Sequence, residues 1–416
     1  MPPSHRKVEV PSRLENDRRD AGERASSRAD VGDRAPGRAE TIGIGMLGYG
    51  FMGRAHSSAF RTIRHMTWPP PLVPELVSIA GRSQASVADA ADEFGFAEHV
   101  TEWQALVADS RIGLFDNTGP NSVHVEPSIA AAEAGKHVVC EKPLGRTADE
   151  AYEAWQRVSA THVKHMTAFN YRFVPAVRLA RELIASGELG ELLHFRATYL
   201  QDWLVDPSVA NLWRLDKSIA GSGALGDLGA HVVDLARYLV GEIAGVSGAL
   251  RTFTPVRGGA QVDVDDAFAA SVEFLGGALG TIEASRFCPG RKNALRFEIN
   301  GTSGSLAFNL ERLNELERSE GTSGFRTIFV TDPGHPYLEY WWPAGHVLGW
   351  EHTFVHELHH LLSAIRDDGD VAPHGATFED GYRAAEVCDA IVRSADEHAH
   401  VAVHYRDPAL GRRASQ

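Results

Sequence analysis

Residues 42–53 read Ile42-Gly43-Ile44-Gly45-Met46-Leu47-Gly48-Tyr49-Gly50-Phe51-Met52-Gly53, an apolar run that ends in three spaced glycines. A buried strand at 42–47, then Gly-x-Gly-x-x-Gly, then a helical stretch at 55–63 is the opening of a βαβ unit whose turn holds a pyrophosphate. In that reading Gly48 allows the tight turn, Gly50 lets the backbone approach the phosphates, and Gly53 lets helix and strand pack closely. The helix N-terminus adds partial positive charge.

Moving outward, the pattern predicts a second strand at 76–80, a helix at 85–94, strands at 113–117 and 137–140, and an alanine-rich helix at 125–134. Strands alternating with helices imply a doubly wound parallel sheet, so residues 41–165 are expected to form an α/β Rossmann domain. Beyond residue 165 the rhythm changes. A helix at 175–186 is followed by β-rich stretches at 192–201, 267–274, 279–285, 296–299 and 327–330, and a strongly amphipathic helix at 378–394. Residues 166–416 are therefore expected to build an α+β domain on a large, mostly antiparallel open sheet. An open sheet face needs cover, which points to a homodimer or homotetramer.

Composition bounds the function. A chain of 416 residues with 43% hydrophobic and 23% charged residues is ordinary globular material, long enough for two domains. Lys and Arg number 41 against 55 acids, a net charge of -14, the wrong sign for a nucleic-acid binder. No run approaches the roughly 18 apolar residues of a membrane span, so no membrane partner is expected. Three widely spaced cysteines, Cys140, Cys288 and Cys388, make no disulfide framework and fit a reducing, cytoplasmic setting. Residues 1–40 contain no Phe, Trp, Tyr or Ile, one Leu, 9 basic and 8 acidic residues, and are expected to be disordered. The acidic excess then belongs to the folded part.

Several positions carry chemistry. The second strand ends in Ile79-Ala80-Gly81-Arg82-Ser83, where an acid usually takes the ribose diol. Arg82 leans toward the 2′-phosphate of NADP, or stacks on adenine and serves NAD equally, so the cofactor is NAD or NADP. Lys142, in Cys140-Glu141-Lys142-Pro143 at a strand end, stands where such folds bind ligands, although a lone Lys is more often a solvated surface charge. Asp227 and His231 are i and i+4 on one helix face, with Asp234 three residues further. An imidazole between carboxylates is set for proton transfer; a plain helix-face ion pair is the other reading.

Taken together, Gly48 to Gly53, Thr118-Gly119-Pro120-Asn121 with His124, Glu141-Lys142-Pro143, and Asp227 to His231 resemble the Gfo/Idh/MocA family of sugar and inositol oxidoreductases. Ala168-Phe169-Asn170-Tyr171-Arg172, Tyr199-Leu200-Gln201-Asp202-Trp203, Lys217 to Asp227 and Pro336-Tyr337 are similar to its levoglucosan dehydrogenase branch. The resemblance runs from Thr41 to the chain end. It implies a Rossmann domain, a second domain with an open sheet, and a pocket between them. NAD or NADP would be held by Gly48, Gly50, Phe51, Met52, Gly53, Arg82, Ser83, Thr118, Pro120, Asn121, His124, Glu141 and Lys142. Lys142, Asp227 and His231 would be catalytic, and a carbohydrate would meet them together with Tyr171, Gln201 and Trp203. The implied activity is oxidation of a secondary hydroxyl, at C3, of a pyranose, glycoside or anhydrosugar such as levoglucosan. Glycoside cleavage through transient C3 oxidation and inositol dehydrogenation are the alternatives. In one respect the chain departs from the branch, which has an acid near the end of the second strand where this sequence has Gly81-Arg82.

Other motifs compete. His356-Glu357-Leu358-His359-His360 matches HExxH, in which two His one turn apart bind zinc, but a dinucleotide fold has no use for it and no metal is expected. Asp263, Asp265 and Asp266 lack the glycine and glutamate of a calcium loop and read as a cluster at a strand entry. Trp341 and Trp342 read as buried or interface aromatics before sugar contacts.

Overall fold

Along residues 41–168 short apolar strands alternate with amphipathic helices, and the computed structural model folds them into one parallel sheet. The described residues are 40–209 and 212–406; the disorder expected of residues 1–40 falls, up to Ala39, outside them. In chain order come β1 (Thr41–Leu47), α1 (Phe51–Met66), β2 (Val73–Ala80), α2 (Gln84–Phe94), β3 (Glu98–Val100), α3 (Trp103–Ala108), β4 (Ile112–Asn117), α4 (Val125–Glu133), β5 (His137–Glu141), α5 (Ala148–Ser159) and β6 (His165–Ala168). The six strands pair in parallel in the order β3-β2-β1-β4-β5-β6, the doubly wound arrangement. α1 starts at Phe51, earlier than the apolar pattern predicts, because Gly53 already lies inside its first turn. Successive strand residues face opposite sides: Val139 packs with α1 and α2, whereas Val138 and Cys140 pack with α4 and α5.

The remaining chain contributes α6 (Pro175–Ala185), β7 (Leu192–Leu200), α7 (Lys217–Ala220), a π turn at Leu225–Gly229, α8 (Ala230–Leu239), β8 (Ile243–Arg251), the small hairpin β9 (Val256–Arg257) and β10 (Ala260–Gln261), and then β11 (Ala267–Phe274). β12 (Leu279–Ser285), β13 (Ala294–Gly301), β14 (Gly304–Asn309), β15 (Glu315–Glu320), β16 (Arg326–Phe329), α9 (His352–Arg366), α10 (Phe378–Glu397) and β17 (Val401–Ala402) complete it. Nine strands form a second sheet in the order β16-β15-β14-β13-β7-β12-β11-β8-β17, antiparallel throughout except for β7 with β12. Strict alternation buries Phe195, Tyr199, Val272, Ile282 and Phe297 on one face, in a core shared with α6, α8 and α10. The other face carries Arg196, Ser271, Thr281 and Glu283 around an open concavity of about 810 Å³, away from the chemistry-bearing residues.

Two late helices return to the first sheet. α9 lays Phe354, Leu358, Leu361 and Leu362 into the same core as β1, α1 and α2. α10 packs between α5 and β8, and its Tyr382 stacks on Trp155 at 5.3 Å between ring centroids. The HExxH stretch belongs to this packing. His356 Nε2 accepts the Trp341 indole N–H at 2.7 Å, so its Nδ1 carries the proton and donates to the Phe173 carbonyl at 3.0 Å. His360 Nε2 bonds the Val371 carbonyl at 2.8 Å. Among the described residues no group of three or more His, Cys, Asp or Glu is placed to hold a metal, and no helix is long and apolar enough to cross a membrane.

Candidate active site

The three glycines of the first loop do different work. Gly48 has φ 103° and a Cβ there would lie 2.7 Å from the Thr118 carbonyl; a Cβ on Gly53 would lie 2.6 Å from the Gly48 oxygen. The chain's own packing demands both. At Gly50 a Cβ would meet nothing within 4 Å. It opens onto space at the start of α1, whose N-terminus has no side-chain cap and no acid in its first turn. Uncapped N–H groups beside open space make a cradle for an anion. Thr118 donates its N–H and its hydroxyl to the Leu47 carbonyl at 2.8 and 3.0 Å, joining the loops after β1 and β4 where the strand order reverses.

Around that cradle Phe51 is exposed and stacks on Trp350 at 5.4 Å, and Met52 is half-buried. A Cβ on Gly81 would displace the Tyr49 ring that packs over it. Arg82 is exposed at the end of β2, and Ser83 caps α2 by accepting the Ser86 N–H. Pro120 is half-buried before a short 3-10 turn. Asn121 Nδ2 donates to the Ala220 carbonyl at 2.8 Å, tying this edge to α7. His124 is buried with its nitrogens 2.7 and 2.9 Å from the Pro143 and Gly119 carbonyls, and burial lowers its pKa. The buried Glu141 carboxylate faces His56 and its own chain. The glycine-loop amides with Arg82 and Ser83 fit a dinucleotide, whereas the side chains of Asn121, His124 and Glu141 brace the loops.

Lys142 leaves the end of β5 and reaches the second domain. Its Nζ donates to the Asp227 carbonyl at 2.7 Å and lies 3.4 Å from Asp227 Oδ1. Asp227 sits in the π turn, one residue wider than the α-helical spacing predicts, and His231 follows in α8. The expectation of an imidazole between carboxylates is corrected here: Asp234 is turned to Arg172, which donates to it at 2.9 and 2.6 Å. His231 instead has aromatic neighbours, Tyr171 at 4.6 Å, Phe169 at 5.9 Å and Tyr199 at 6.0 Å between ring centroids. Burial, with Lys142 nearby, holds its pKa well below the ordinary value, and its Nδ1 has no partner. For Asp227 burial alone would favour the neutral acid, but Lys142, Arg214 and Arg286 outweigh it and keep the carboxyl below its usual range. A neutral imidazole beside a fixed ammonium and carboxylate can take a proton from a hydroxyl at neutral pH.

Tyr171 and Gln201 join one network. Tyr199 donates to Asn293 Oδ1 at 2.7 Å, so the 2.7 Å contact between the two tyrosines has Tyr171 as donor. Gln201 Nε2 donates to Asn293 Oδ1 at 2.8 Å. Trp203 packs against a satellite core of Leu204, Leu215, Val262 and Val264, with the Arg286 guanidinium 5.5 Å over its ring. Arg286 is fully buried; Nη2 donates to the Asp265 carbonyl at 2.9 Å, and Nη1 lies 4.0 Å from Asp227 Oδ2. The Asp265 carboxylate accepts the Gly223 and Leu225 N–H groups, so the acidic cluster clamps the loop leading to Asp227. Tyr199 lies in the Tyr199 to Trp203 motif without being singled out from it, and Asn293, Arg286 and Trp350 are missed altogether. Tyr199 alone has a local signal, since it alternates with Gln201 on one side of a strand pattern.

Comparison with known proteins adds the following. Residues 42–169 match the family model described as an oxidoreductase family with an NAD-binding Rossmann fold, and residues 177–307 match the GFO/IDH/MocA C-terminal domain. The chain is 43% identical over 388 residues to levoglucosan dehydrogenase of Pseudarthrobacter phenanthrenivorans, covering 88% of this chain and 98% of that one. A solved structure of levoglucosan dehydrogenase in complex with NADH and levoglucosan matches with a TM-score of 0.85 and 44% identity, over 88% of this chain and 100% of that chain. D-xylose 1-dehydrogenase (NADP(+)) 2 of Haloferax volcanii is 31% identical over 267 residues, 63% of this chain and 78% of that one.

Proposed function

The chain belongs to the Gfo/Idh/MocA oxidoreductase family, and from that premise we propose that it oxidises the C3 hydroxyl of a pyranose, glycoside or anhydrosugar such as levoglucosan. It is an NAD(P)-dependent oxidoreductase acting on CH–OH groups. The observation that carries the finer reading is Lys142 Nζ fixed on Asp227, with the depressed, neutral His231 as the neighbouring base.

In this reading the sugar hydroxyl gives its proton to His231. Lys142 keeps N–H donors for the same oxygen while the Asp227 carbonyl fixes its direction. Nicotinamide, when bound, supplies the acceptor for the hydride that leaves the carbon. Trp203 offers a flat apolar face to the sugar ring, and Gln201 and Tyr171, oriented by Asn293 and Tyr199, face its hydroxyls. The chain's net charge of -14 works against an anionic cofactor, so its binding rests on the glycine-loop amides and the α1 N-terminus. Free thiols at Cys140, Cys288 and Cys388 fit a reducing, cytoplasmic workplace.

The test is a panel of levoglucosan, glucose, simple glucosides and inositols, each with NAD and with NADP. Nicotinamide reduction by an anhydrosugar or pyranoside is expected, and the preferred cofactor assigns the role of Arg82. Lys142→Ala should abolish turnover while NADH still binds; an undiminished rate refutes the reading. Release of an aglycone without net reduction would replace it with glycoside cleavage.

A further inference from the structure

A cluster of four titratable side chains is buried in the parallel layer, apart from the groups assigned to the sugar. His56 of α1 sets Nδ1 3.0 and 3.1 Å from the two Asp116 carboxylate oxygens at the end of β4. Its Nε2 lies 3.2 Å from Glu141 Oε1 at the end of β5. Glu357 of α9 is fully buried with neither oxygen partnered, and the Phe354 ring stands 5.5 Å from the imidazole. An imidazole whose two nitrogens both face carboxylate oxygens needs both N–H groups, which is the imidazolium. Burial opposes that charge, but Asp116 and Glu141 outweigh it and lift the His56 pKa well above the ordinary value. Burial raises the Glu357 pKa well above the usual range, in the direction of the neutral acid. Replacing a buried ionic group of this kind by well-packed apolar residues is often neutral or stabilising, so stability gives little reason for it.

What the cluster does do is geometric. The second oxygen of Glu141 accepts the backbone N–H of Lys142 at 3.1 Å. Three groups thus stand in line: His56 holds Glu141, Glu141 holds the Lys142 backbone, and Lys142 Nζ meets Asp227. We propose that His56 is a positioning residue for Lys142, acting through Glu141 to fix the backbone from which the ammonium is aimed. The inference rests on the reading of Lys142 as catalytic. Because α1 begins at the glycine loop, one helix then sets both the cofactor cradle and the strand end that carries the lysine.

The experiment compares His56→Leu, Glu141→Ala and Glu141→Gln with Lys142→Ala, using NAD and levoglucosan or the panel sugar with the highest kcat/KM. His56→Leu and Glu141→Ala should lower kcat by about 10- to 100-fold, because a misaimed group loses rate steeply with small displacements. The sugar KM and the NADH Kd should stay within about threefold of the parent values. Glu141→Gln keeps an oxygen for the Lys142 N–H and should remain within about fivefold of the parent kcat. In His56→Leu, hydrogen exchange should quicken for a peptide spanning 137–146 and not for one spanning 48–53, a readout that needs no substrate. Should His56→Leu not fold, His56→Gln, which cannot hold Asp116 and Glu141 at once, carries the same comparison. An unchanged kcat in His56→Leu and Glu141→Ala overturns the proposal. So does NADH affinity falling in step with kcat, which would mark general damage to α1, or Glu141→Gln being as impaired as Glu141→Ala. A Lys142→Ala enzyme with full activity instead refutes the reading of the site itself.

Discussion

Burial beside Lys142 keeps the His231 imidazole neutral at pH values where a free histidine is already protonated. A base must be unprotonated to accept the hydroxyl proton, so a depressed pKa extends activity toward acid. The acid limb of kcat/KM for sugar oxidation should therefore lie below the free-histidine value of about 6.5, and a limb at or above that value would refute His231 as the base. Lys142, Asp227 and His231 are legible in the sequence because each sits in a short motif with its own strand end or helix start. Asp234 misleads because α-helical spacing places it beside His231, whereas its partner Arg172 lies far away along the chain. Arg286 and Asn293 have no local signature: each becomes a site neighbour only when β12 and β13 come to lie beside β7.

At the scale of single elements, the β1, loop and α1 unit divides its glycines by function. Gly53→Ala should lower Tm, since its Cβ would press on the Gly48 carbonyl from 2.6 Å. Gly50→Ala should leave Tm within about 1 °C, because nothing in the fold meets the added methyl, yet weaken NADH by about tenfold where the backbone must approach the pyrophosphate. Thermal unfolding and an NADH titration on both variants check this, and equal effects at the two positions would contradict it. α9 makes a second case. Chelators should leave the rate unchanged, because His356 and His360 already bond Trp341, Phe173 and Val371; activity lost with a stoichiometric metal would reverse that assignment. β1 and α1 were plain from sequence because apolar run, glycines and helix are contiguous. β3, α3 and β6 are too short to show a period, and the wider π turn leaves no trace in residue spacing.

For the whole molecule, the nine-stranded sheet presents one face built from Arg196, Ser271, Thr281, Glu283 and their neighbours. A polar face of this kind can meet water as well as a second copy, and light scattering is expected to give the mass of a homodimer or homotetramer. A monomer at micromolar concentration would overturn that expectation. The two-sheet plan itself follows from the sequence, since a change from helix-interleaved strands to consecutive strands survives without knowledge of any contact. What the sequence hides is where the chain returns. α9 fills the core on one side of the cofactor sheet and α10 covers α5 on the other, although both lie near the C-terminal end. For protein engineering this makes the cofactor fold a discontinuous cassette. A chimaera meant to exchange nicotinamide preference by transplanting residues 41–168 alone would leave the donor's α1 and α2 against a foreign α9. The α9 segment 352–366 has to travel with the graft, while α10, which packs on α5 and on β8 and α8 alike, has to be matched to both parents.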